Sequence, residues 1–292
     1  MAARNEILIT PTELEALLQH CEPVTILDVR WRLDRPDGRD AYEQGHIPGA
    51  VYVSLDEELS DHAAPGRGRH PLPSGSALQE HVRRWGVRQD TQVVVYDDWN
   101  RAGSARAWWV LTAAGLPDVR ILDGGLAAWT AAEGTVETGT STTEPSDVVL
   151  DHRDLYAGGR PTLTAQQVAE RGSDTILLDA RAPERFRGDV EPVDPVAGHI
   201  PGARNAPSTS VLTEGGAFLP ERELHELFAA SGADATADVG VYCGSGVTAA
   251  VTLAALAAAG VDAALFPGSW SQWSSDPANP VAVGADELSN RG

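Results

Sequence analysis

Short apolar runs recur along the chain, separated by turn residues and by longer alanine-rich stretches. The apolar runs are too short for helices, and several end in a polar residue at a turn, which is typical of buried strands. The predicted strands cover residues 24–28, 93–96, 119–122, 175–179, 239–242 and 263–266, and the predicted helices include 104–114 and 247–259. Because strands alternate with helices, the pattern predicts an α/β fold with a mostly parallel sheet flanked by helices in each half.

The whole pattern occurs twice in the same order. The segment His46-Ile-Pro-Gly-Ala50 returns letter for letter at residues 199–203, and the strand at Ile26-Leu-Asp-Val-Arg30 returns at 177–181 as Leu-Leu-Asp-Ala-Arg. Several repeated segments in one order indicate an internal duplication. The chain is therefore predicted to contain two tandem domains of the same fold.

Each copy begins with a helix signal. Thr10 with Glu13, and Thr164 with Gln167, have the spacing of a capping box, in which the threonine and the residue three positions later cap the first turn. A stretch between the copies is rich in threonine, serine and acidic residues without clear periodicity, which is typical of a linker. The predicted organisation is an N-terminal domain at 5–133, a linker at 134–160 and a C-terminal domain at 161–284.

Net charge excludes some classes of partner. Lysine plus arginine number 22 and aspartate plus glutamate 42, so the net charge is −20, which repels nucleic acid and anionic lipid at long range. The longest apolar stretch, 249–261, falls short of the roughly 20 residues that a membrane crossing needs. We therefore expect no nucleic-acid or membrane partner. The first residues show no signal-peptide pattern and only two cysteines occur, so a cytoplasmic location is predicted.

Cys243 is the candidate nucleophile. It follows the strand ending at Tyr242 and precedes a helix, with Gly244, Ser245 and Gly246 in between. Two glycines let successive backbone N–H groups point inward, which together with the helix N-terminus favours a thiolate. A small buried cysteine at a strand end is the commoner arrangement, but the glycines favour a nucleophile. Cys21 has no such loop and is interpreted as a packing residue.

Elimination narrows the chemistry of this thiolate. A cysteine phosphatase needs an arginine six residues after its nucleophile, where this chain has Ala249. No local signature of papain-like acyl transfer surrounds Cys243. Sulfur transfer remains, because a group of inward N–H donors also suits a persulfide anion.

The duplicated halves, the paired His-Ile-Pro-Gly-Ala segments and the loop Cys243-Gly-Ser-Gly-Val-Thr248 strongly resemble the two-domain rhodanese-like sulfurtransferases over nearly the whole chain. The resemblance implies two tandem rhodanese-like domains, with the persulfide-forming cysteine in the C-terminal one. It also implies a catalytically silent N-terminal domain, and the position matching the cysteine is Asp97. The loop sequence resembles the 3-mercaptopyruvate branch, whereas the thiosulfate branch typically has basic residues in its second and third positions.

The 3-mercaptopyruvate branch is thought to use a serine, histidine and aspartate relay. The resemblance assigns these roles to Ser245, His70 and Asp56. The relay would supply the proton that the departing pyruvate enolate needs. A loop-closing hydrogen bond for Ser245 and a solvated loop position for His70 are the alternative interpretations.

The resemblance assigns the donor's carboxylate to Arg185, whose guanidinium suits bidentate binding. The branch usually has a second arginine after a Glu-Pro pair, but this chain has Val193 there, so Arg181 or Arg187 would have to compensate. A surface pair between Arg185 and the neighbouring Glu184 is the alternative interpretation. The remaining substrate-binding residues predicted are those of the cysteine loop, namely Gly244, Gly246, Val247 and Thr248.

The predicted function is sulfur transfer from 3-mercaptopyruvate, through a Cys243 persulfide, to a thiol such as thioredoxin or to cyanide. The alternatives are thiosulfate as the donor in the same mechanism, or a non-catalytic binding module. No cofactor and no metal site are expected.

His46 and His199, and likewise Asp28 and Asp179, recur in both copies and are interpreted as architectural residues.

Overall fold

The computed structural model describes residues 2–172 and 175–285, which form two compact units. The first unit contains the described chain up to Asp61, then Leu72–Arg160 and Leu212–Phe218. The second contains His62–Pro71, Pro161–Val211 and the described chain from Leu219 onward. The units follow the two sequence copies with two loops exchanged, since 62–71 lies in the second unit and 212–218 in the first. The domain and linker boundaries drawn from the repeat stay a prediction.

Each unit is an α/β structure built around one sheet. In the first unit the elements are α1 Ala2–Ile7, β1 Leu8–Ile9, α2 Pro11–Gln19, β2 Val24–Asp28, α3 Arg39–Gln44, β3 Val51–Tyr52, α4 Leu55–Glu58, α5 Gly75–Arg84, β4 Gln92–Tyr96, α6 Ala102–Ala113, β5 Val119–Leu122 and α7 Gly125–Ala131, with a 3-10 turn at Leu155–Ala157. In the second they are α8 Ala165–Glu170, β6 Thr175–Asp179, α9 Pro183–Arg187, β7 Arg204–Asn205, α10 Glu221–Ala230, β8 Asp238–Tyr242, α11 Ala249–Ala258, β9 Ala264–Leu265 and α12 Ser269–Trp273, with a 3-10 turn at Ser208–Val211.

Over the described residues, the first sheet has the strand order β1-β5-β4-β2-β3 and the second β7-β6-β8-β9, and every pairing between these strands is parallel. Both capping boxes form, with the Thr10 and Thr164 hydroxyls accepting from the third residue of their helices. The α/β class and the parallel sheets are confirmed. Among the described helices, none is long and apolar enough to cross a membrane.

The repeated His-Ile-Pro-Gly-Ala segment is fixed in the same way in both units. The hydroxyl oxygen of Tyr96 accepts from the Ile47 N–H at 3.1 Å, and that of Tyr242 accepts from the Ile200 N–H at 3.1 Å. Burial raises the pKa of Tyr242 well above its ordinary value, and the nearby negative charge of Asp179 adds to this, so the phenol stays neutral. Tyr96 and Tyr242 end the central strands β4 and β8, so each connects the repeated segment to its central strand. The loop that follows each of these strands carries Asp97 or Cys243.

The repeated aspartates and histidines support the architecture, as predicted. Arg181 Nη2 donates to Asp179 at 2.7 Å and to the Gly198 carbonyl at 2.7 Å, and Arg30 makes the corresponding bonds to Asp28 and Gly45 in the first unit. These arginines join the ends of β2 and β6 to the loop before the repeated segment. The repeated histidines are buried, and each lies within hydrogen-bond distance of a backbone carbonyl: His46 at 2.9 Å and His199 at 2.8 Å.

Candidate active site

The cysteine loop connects the end of β8 to the start of α11 in the second unit. Cys243 follows Tyr242 directly, and Thr248 is the N-cap of the ten-residue helix α11. Only 1% of the surface of Cys243 is exposed, and Ser245 is also buried. Val247 is buried and Thr248 half-buried at the end of the loop. The loop therefore holds its sulfur at the carboxyl end of a parallel sheet, where α/β proteins place their ligand sites.

The sulfur atom receives a backbone donor from within its own loop. The Gly246 N–H donates to Cys243 Sγ at an N to S distance of 3.1 Å. Gly246 has a φ of 80°, and a Cβ at this position would lie 2.5 Å from the Pro267 carbonyl oxygen. Glycine is required for this turn, because other residues rarely adopt such a φ and any side chain would collide with backbone. Of the successive inward N–H groups predicted from the two glycines, that of Gly246 donates to the sulfur.

Residues of α12 fix the backbone of the cysteine loop. The Cys243 carbonyl accepts from the Trp270 N–H and the Gly244 carbonyl from the Ser271 N–H, both at 2.9 Å. The Cys243 N–H donates to Ser269 Oγ at 3.2 Å.

Ser269 was not identified from the sequence. It is completely buried and has a φ of 53°, where Gly125 in the first copy has a φ of 57°. A serine held in a conformation that favours glycine indicates a constraint at a functional site. Alignment of the two copies at 122–129 and 266–273 would have shown this serine opposite a glycine.

The loop His62–Pro71, which packs with the second unit, brings His70 to the cysteine loop. His70 Nδ1 and Ser245 Oγ are 2.8 Å apart, and both side chains are buried. The serine O–H donates to Nδ1, or the ring N–H donates to Oγ, according to the tautomer. Two members of the predicted relay are therefore in hydrogen-bond contact, although 175 positions separate them in the sequence.

Asp56, the third member of the predicted relay, lies in the first unit. It belongs to the first turn of α4, behind the N-cap Ser54. Its Oδ1 accepts from the Trp31 indole N–H at 3.1 Å. Its assignment to the relay stays a prediction.

Arg185 lies in α9 and is held by two acidic residues. Its Nη2 donates to Glu191 Oε1 at 2.6 Å and to Asp194 Oδ2 at 3.3 Å. Burial of Glu191 opposes its ionisation, but the hydrogen bond and charge of Arg185 and the N–H groups of Asp194 and Val193 outweigh it, so the pKa of Glu191 is lowered. Glu191 therefore remains a carboxylate and orients Arg185. Glu184, considered from the sequence, is not the acid that these hydrogen bonds join to Arg185.

A second guanidinium lies at the same loop and was not identified from the sequence. A methyl group on Gly244 would lie 3.3 Å from Arg69 Nη2 and 3.5 Å from Arg185 Nη1. Arg69 Nη1 also donates to Asp194 Oδ1 at 2.7 Å. The run Gly66-Arg-Gly-Arg-His70 is a basic segment in a very acidic chain, which was the available sequence signal.

The arginines expected to compensate for Val193 have other partners. Arg181 is buried and bonded to Asp179, Gly198 and Glu191. Arg187 is 41% exposed and pairs with Asp189 at 2.8 Å. The atoms nearest to the free face of Gly244 belong to Arg69 and Arg185 instead.

Comparison with known proteins identifies the family. A model of the rhodanese-like domain matches residues 10–132 and again residues 164–276. The chain belongs to the rhodanese-like family. Both matches fall on the two sequence copies, so the family and the tandem arrangement expected from the sequence are confirmed.

Relatives of this rhodanese-like chain cover almost its whole length. The chain is 64% identical over 97% of its length, and 99% of the relative's, to a Mycobacterium tuberculosis protein named "Putative thiosulfate sulfurtransferase SseB". It is 46% identical, over 95% of this chain and 98% of the relative, to a Pseudomonas aeruginosa protein named "Probable 3-mercaptopyruvate sulfurtransferase". The crystal structure of SseA from Escherichia coli, described as a 3-mercaptopyruvate sulfotransferase with the rhodanese fold, matches with a TM-score of 0.77 and 32% identity, over 90% of this chain and 98% of that one.

The first rhodanese-like copy has an anion where the second has its sulfur. The Asp97 carboxylate accepts from the N–H groups of Trp99 at 3.0 Å, Arg101 at 3.3 Å and Ser104 at 3.0 Å. The Arg101 guanidinium adds an ion pair at 3.0 Å. The loop after this central strand therefore directs its N–H groups at a carboxylate in the copy that has Asp97 in place of the loop cysteine, as expected for an N–H nest at the start of a helix.

Replacing Gly246 by alanine will disrupt the loop. In Gly246→Ala the methyl group would collide with the Pro267 carbonyl, and alanine would have to adopt the left-handed backbone of this turn. We therefore expect the substitution to lower the free energy of unfolding by about 1–3 kcal/mol and to abolish most turnover. Gly244→Ala is the matched control, since its position does not require a left-handed backbone and should keep the melting temperature. Equal melting temperatures and turnover for Gly246→Ala and wild type would contradict this account.

The lowered pKa of Glu191 predicts a pH-dependent contribution to stability. A carboxyl group with a lowered pKa in the folded state stabilises the protein above its unfolded value, about 4.5, and loses that contribution as the pH falls through the folded value. We therefore expect Glu191→Gln to cost about 1–2 kcal/mol at about pH 7 and less at about pH 4, measured by urea unfolding. A cost that is the same at both pH values would show that Glu191 does not act through its charge.

Proposed function

We propose that this protein transfers a sulfane sulfur from 3-mercaptopyruvate to a thiol or to cyanide, with Cys243 as the carrier. The relatives confirm the general class predicted from the sequence, a sulfurtransferase enzyme. The observation that supports Cys243 most directly is its Sγ, which accepts the Gly246 N–H at the carboxyl end of the central strand. A backbone donor in this position stabilises a sulfur anion, both before and after a second sulfur is attached.

The first half-reaction makes the persulfide. The Cys243 thiolate attacks the donor's sulfur, so that an S–S bond forms while the donor's C–S bond breaks. The electron pair of the C–S bond passes to the carbon chain and gives pyruvate enolate. The enolate takes its proton from the Ser245 hydroxyl, and His70 at 2.8 Å replaces the proton on the serine. The sulfur's own proton stays on the new persulfide or is lost to solvent.

The second half-reaction returns the enzyme to its starting state. An acceptor thiolate, such as that of thioredoxin, or a cyanide ion attacks the outer sulfur of the persulfide. The S–S bond breaks, and its electron pair returns to Cys243 as the thiolate. Neither half-reaction needs an external oxidant or reductant, and we propose that no cofactor takes part.

Thiosulfate is the second candidate donor. The name of the 64% identical relative and the replacement of the family's second arginine by Val193 favour it. Sulfite would leave with the electron pair of the broken S–S bond and needs no proton, so this reaction makes no demand on Ser245. The role of Ser245 therefore distinguishes the two donors.

The location and the acceptor are also proposals. We propose that the enzyme works in the cytoplasm, where thiols such as thioredoxin are kept reduced. The expected partners are a small anionic donor and a thiol acceptor, without nucleic acid or membrane.

Initial rates with each donor test the function and the relay together. We expect Cys243→Ser to abolish turnover of both donors, because the sulfur carrier is lost. We expect Ser245→Ala to lower 3-mercaptopyruvate turnover by about 10²–10⁴-fold, the usual range for a lost proton-transfer group, with a much smaller effect on thiosulfate. Rates are measured with cyanide as acceptor. Equal losses with both donors would contradict the relay, and a clear wild-type preference for thiosulfate would defeat 3-mercaptopyruvate as the donor.

A further inference from the structure

The cations at the cysteine loop come from two segments far apart in the sequence. We propose that Arg69 binds the anionic end of the sulfur donor together with Arg185, and that it supplies the second guanidinium missing at Val193. The proposal rests on the function proposed above and assigns the donor-binding face of the same site. The ligand class is a small carboxylate, the group that paired arginines recognise through several parallel N–H donors.

The space above Gly244 is where the anion fits. A methyl group built there would lie within 3.3–3.7 Å of three guanidinium nitrogens, Nη2 of Arg69 and both Nη atoms of Arg185. Because glycine leaves this face of the loop open, a ligand next to Cys243 meets both guanidinium groups. A chain with a net charge of −20 repels an anionic donor, so two cations beside the reactive sulfur are needed to attract it.

Arg69 has hydrogen-bonding capacity that the protein does not use. Its Nη1 donates to Asp194, whereas its Nε is buried and has no hydrogen-bond partner among the described residues. A buried donor without a partner costs free energy, so the protein itself leaves the Arg69 guanidinium only partly satisfied. This unused donor distinguishes Arg69 from Arg181, whose guanidinium bonds to Asp179, Glu191 and the Gly198 carbonyl.

Backbone atoms hold the segment 66–69 in place without the Arg69 side chain. The Arg69 N–H donates to Ser271 Oγ at 3.0 Å, and Gln272 donates to the Gly66 carbonyl at 2.7 Å. Gly68, with a φ of 88°, approaches the Gly268 carbonyl so closely that a Cβ would lie 2.5 Å from it. The segment therefore keeps its position through backbone contacts, and the Arg69 side chain is available for a ligand.

Asp194 accounts for the arrangement of the two cations. Its Oδ1 accepts from Arg69 at 2.7 Å and its Oδ2 from Arg185 at 3.3 Å, so one carboxylate reduces the repulsion between two like charges. The same carboxylate competes with the donor's carboxylate for these guanidinium groups. Removing the side chain of Arg69 and removing the charge of Asp194 should therefore have opposite effects on donor binding.

The test compares Arg69→Gln with Asp194→Asn in the full-length protein. We expect Arg69→Gln to raise the donor KM for 3-mercaptopyruvate by about tenfold or more, while kcat at saturating donor and the KM for cyanide stay close to wild type. We expect Asp194→Asn to lower the donor KM. Arg69→Lys keeps the positive charge but loses the paired N–H donors of the guanidinium, so its donor KM should lie between those of wild type and Arg69→Gln.

A binding measurement separates this inference from the proposed reaction. Calorimetry with pyruvate on Cys243→Ser, with and without Arg69→Gln, reports anion binding without any turnover. We expect the second substitution to weaken pyruvate binding by about tenfold or more. If the wild-type protein turned over neither donor, the proposed function would be wrong. The pyruvate-binding measurement would still test the role of Arg69.

Three results would overturn the role of Arg69. They are an unchanged donor KM in Arg69→Gln, unchanged pyruvate binding in the Cys243→Ser background, and equal losses of kcat and melting temperature in Arg69→Gln and Asp194→Asn. The last result would show that the ion pair between Arg69 and Asp194 only anchors the loop His62–Pro71.

Discussion

The proposed chemistry of the second unit depends on one backbone turn, between the central strand β8 and helix α11. The turn directs the Gly246 N–H at the sulfur of Cys243, and only glycine fits at Gly246, because its φ is 80° and the Pro267 carbonyl lies against its Cα. The hydrogen bonds from α12 to the loop carbonyls hold this turn from outside. Because the sulfur is almost completely buried, these fixed backbone dipoles rather than solvent surround it. The proposed substrate-binding side chains and the proposed proton relay have a role only if this turn makes the sulfur reactive.

The duplication provides an internal comparison for this interpretation. Both copies tie a tyrosine at the end of the central strand to the repeated loop, and both use a buried aspartate and arginine to fix that loop. At the next position the copies differ, since Asp97 satisfies its own loop with a carboxylate whereas Cys243 presents a sulfur. The Asp97 carboxylate already accepts the loop N–H groups that a substrate anion would need, which supports the prediction of a catalytically silent first copy. The same scaffold thus places an aspartate side chain at this position in one unit and a cysteine sulfur in the other.

Local features of the structure could be predicted from the sequence, whereas distant partners could not. The strands, capping boxes and glycine turn follow from short-range patterns, so Cys243 and its loop could be located directly. His70 was found only through the family resemblance, because no local pattern joins it to Ser245 across 175 positions. Arg69 was missed for the same reason, since its role depends on where a loop of the first copy packs. Val193 showed that a cation was missing, but the sequence could not show which arginine lies above Gly244.

The most direct test of the central claim is the mass of the protein after exposure to a donor without an acceptor. The reduced protein is incubated with 3-mercaptopyruvate or thiosulfate, and the intact mass and the peptide carrying Cys243 are measured. We expect a gain of one sulfur atom on that peptide, absent in Cys243→Ser and removed by cyanide. Cys21 is exposed, so its interpretation as a packing residue was wrong, but it has no glycine loop and should gain no sulfur. No added sulfur at Cys243 with either donor would contradict the account and would favour a scaffold that only presents surfaces to a partner.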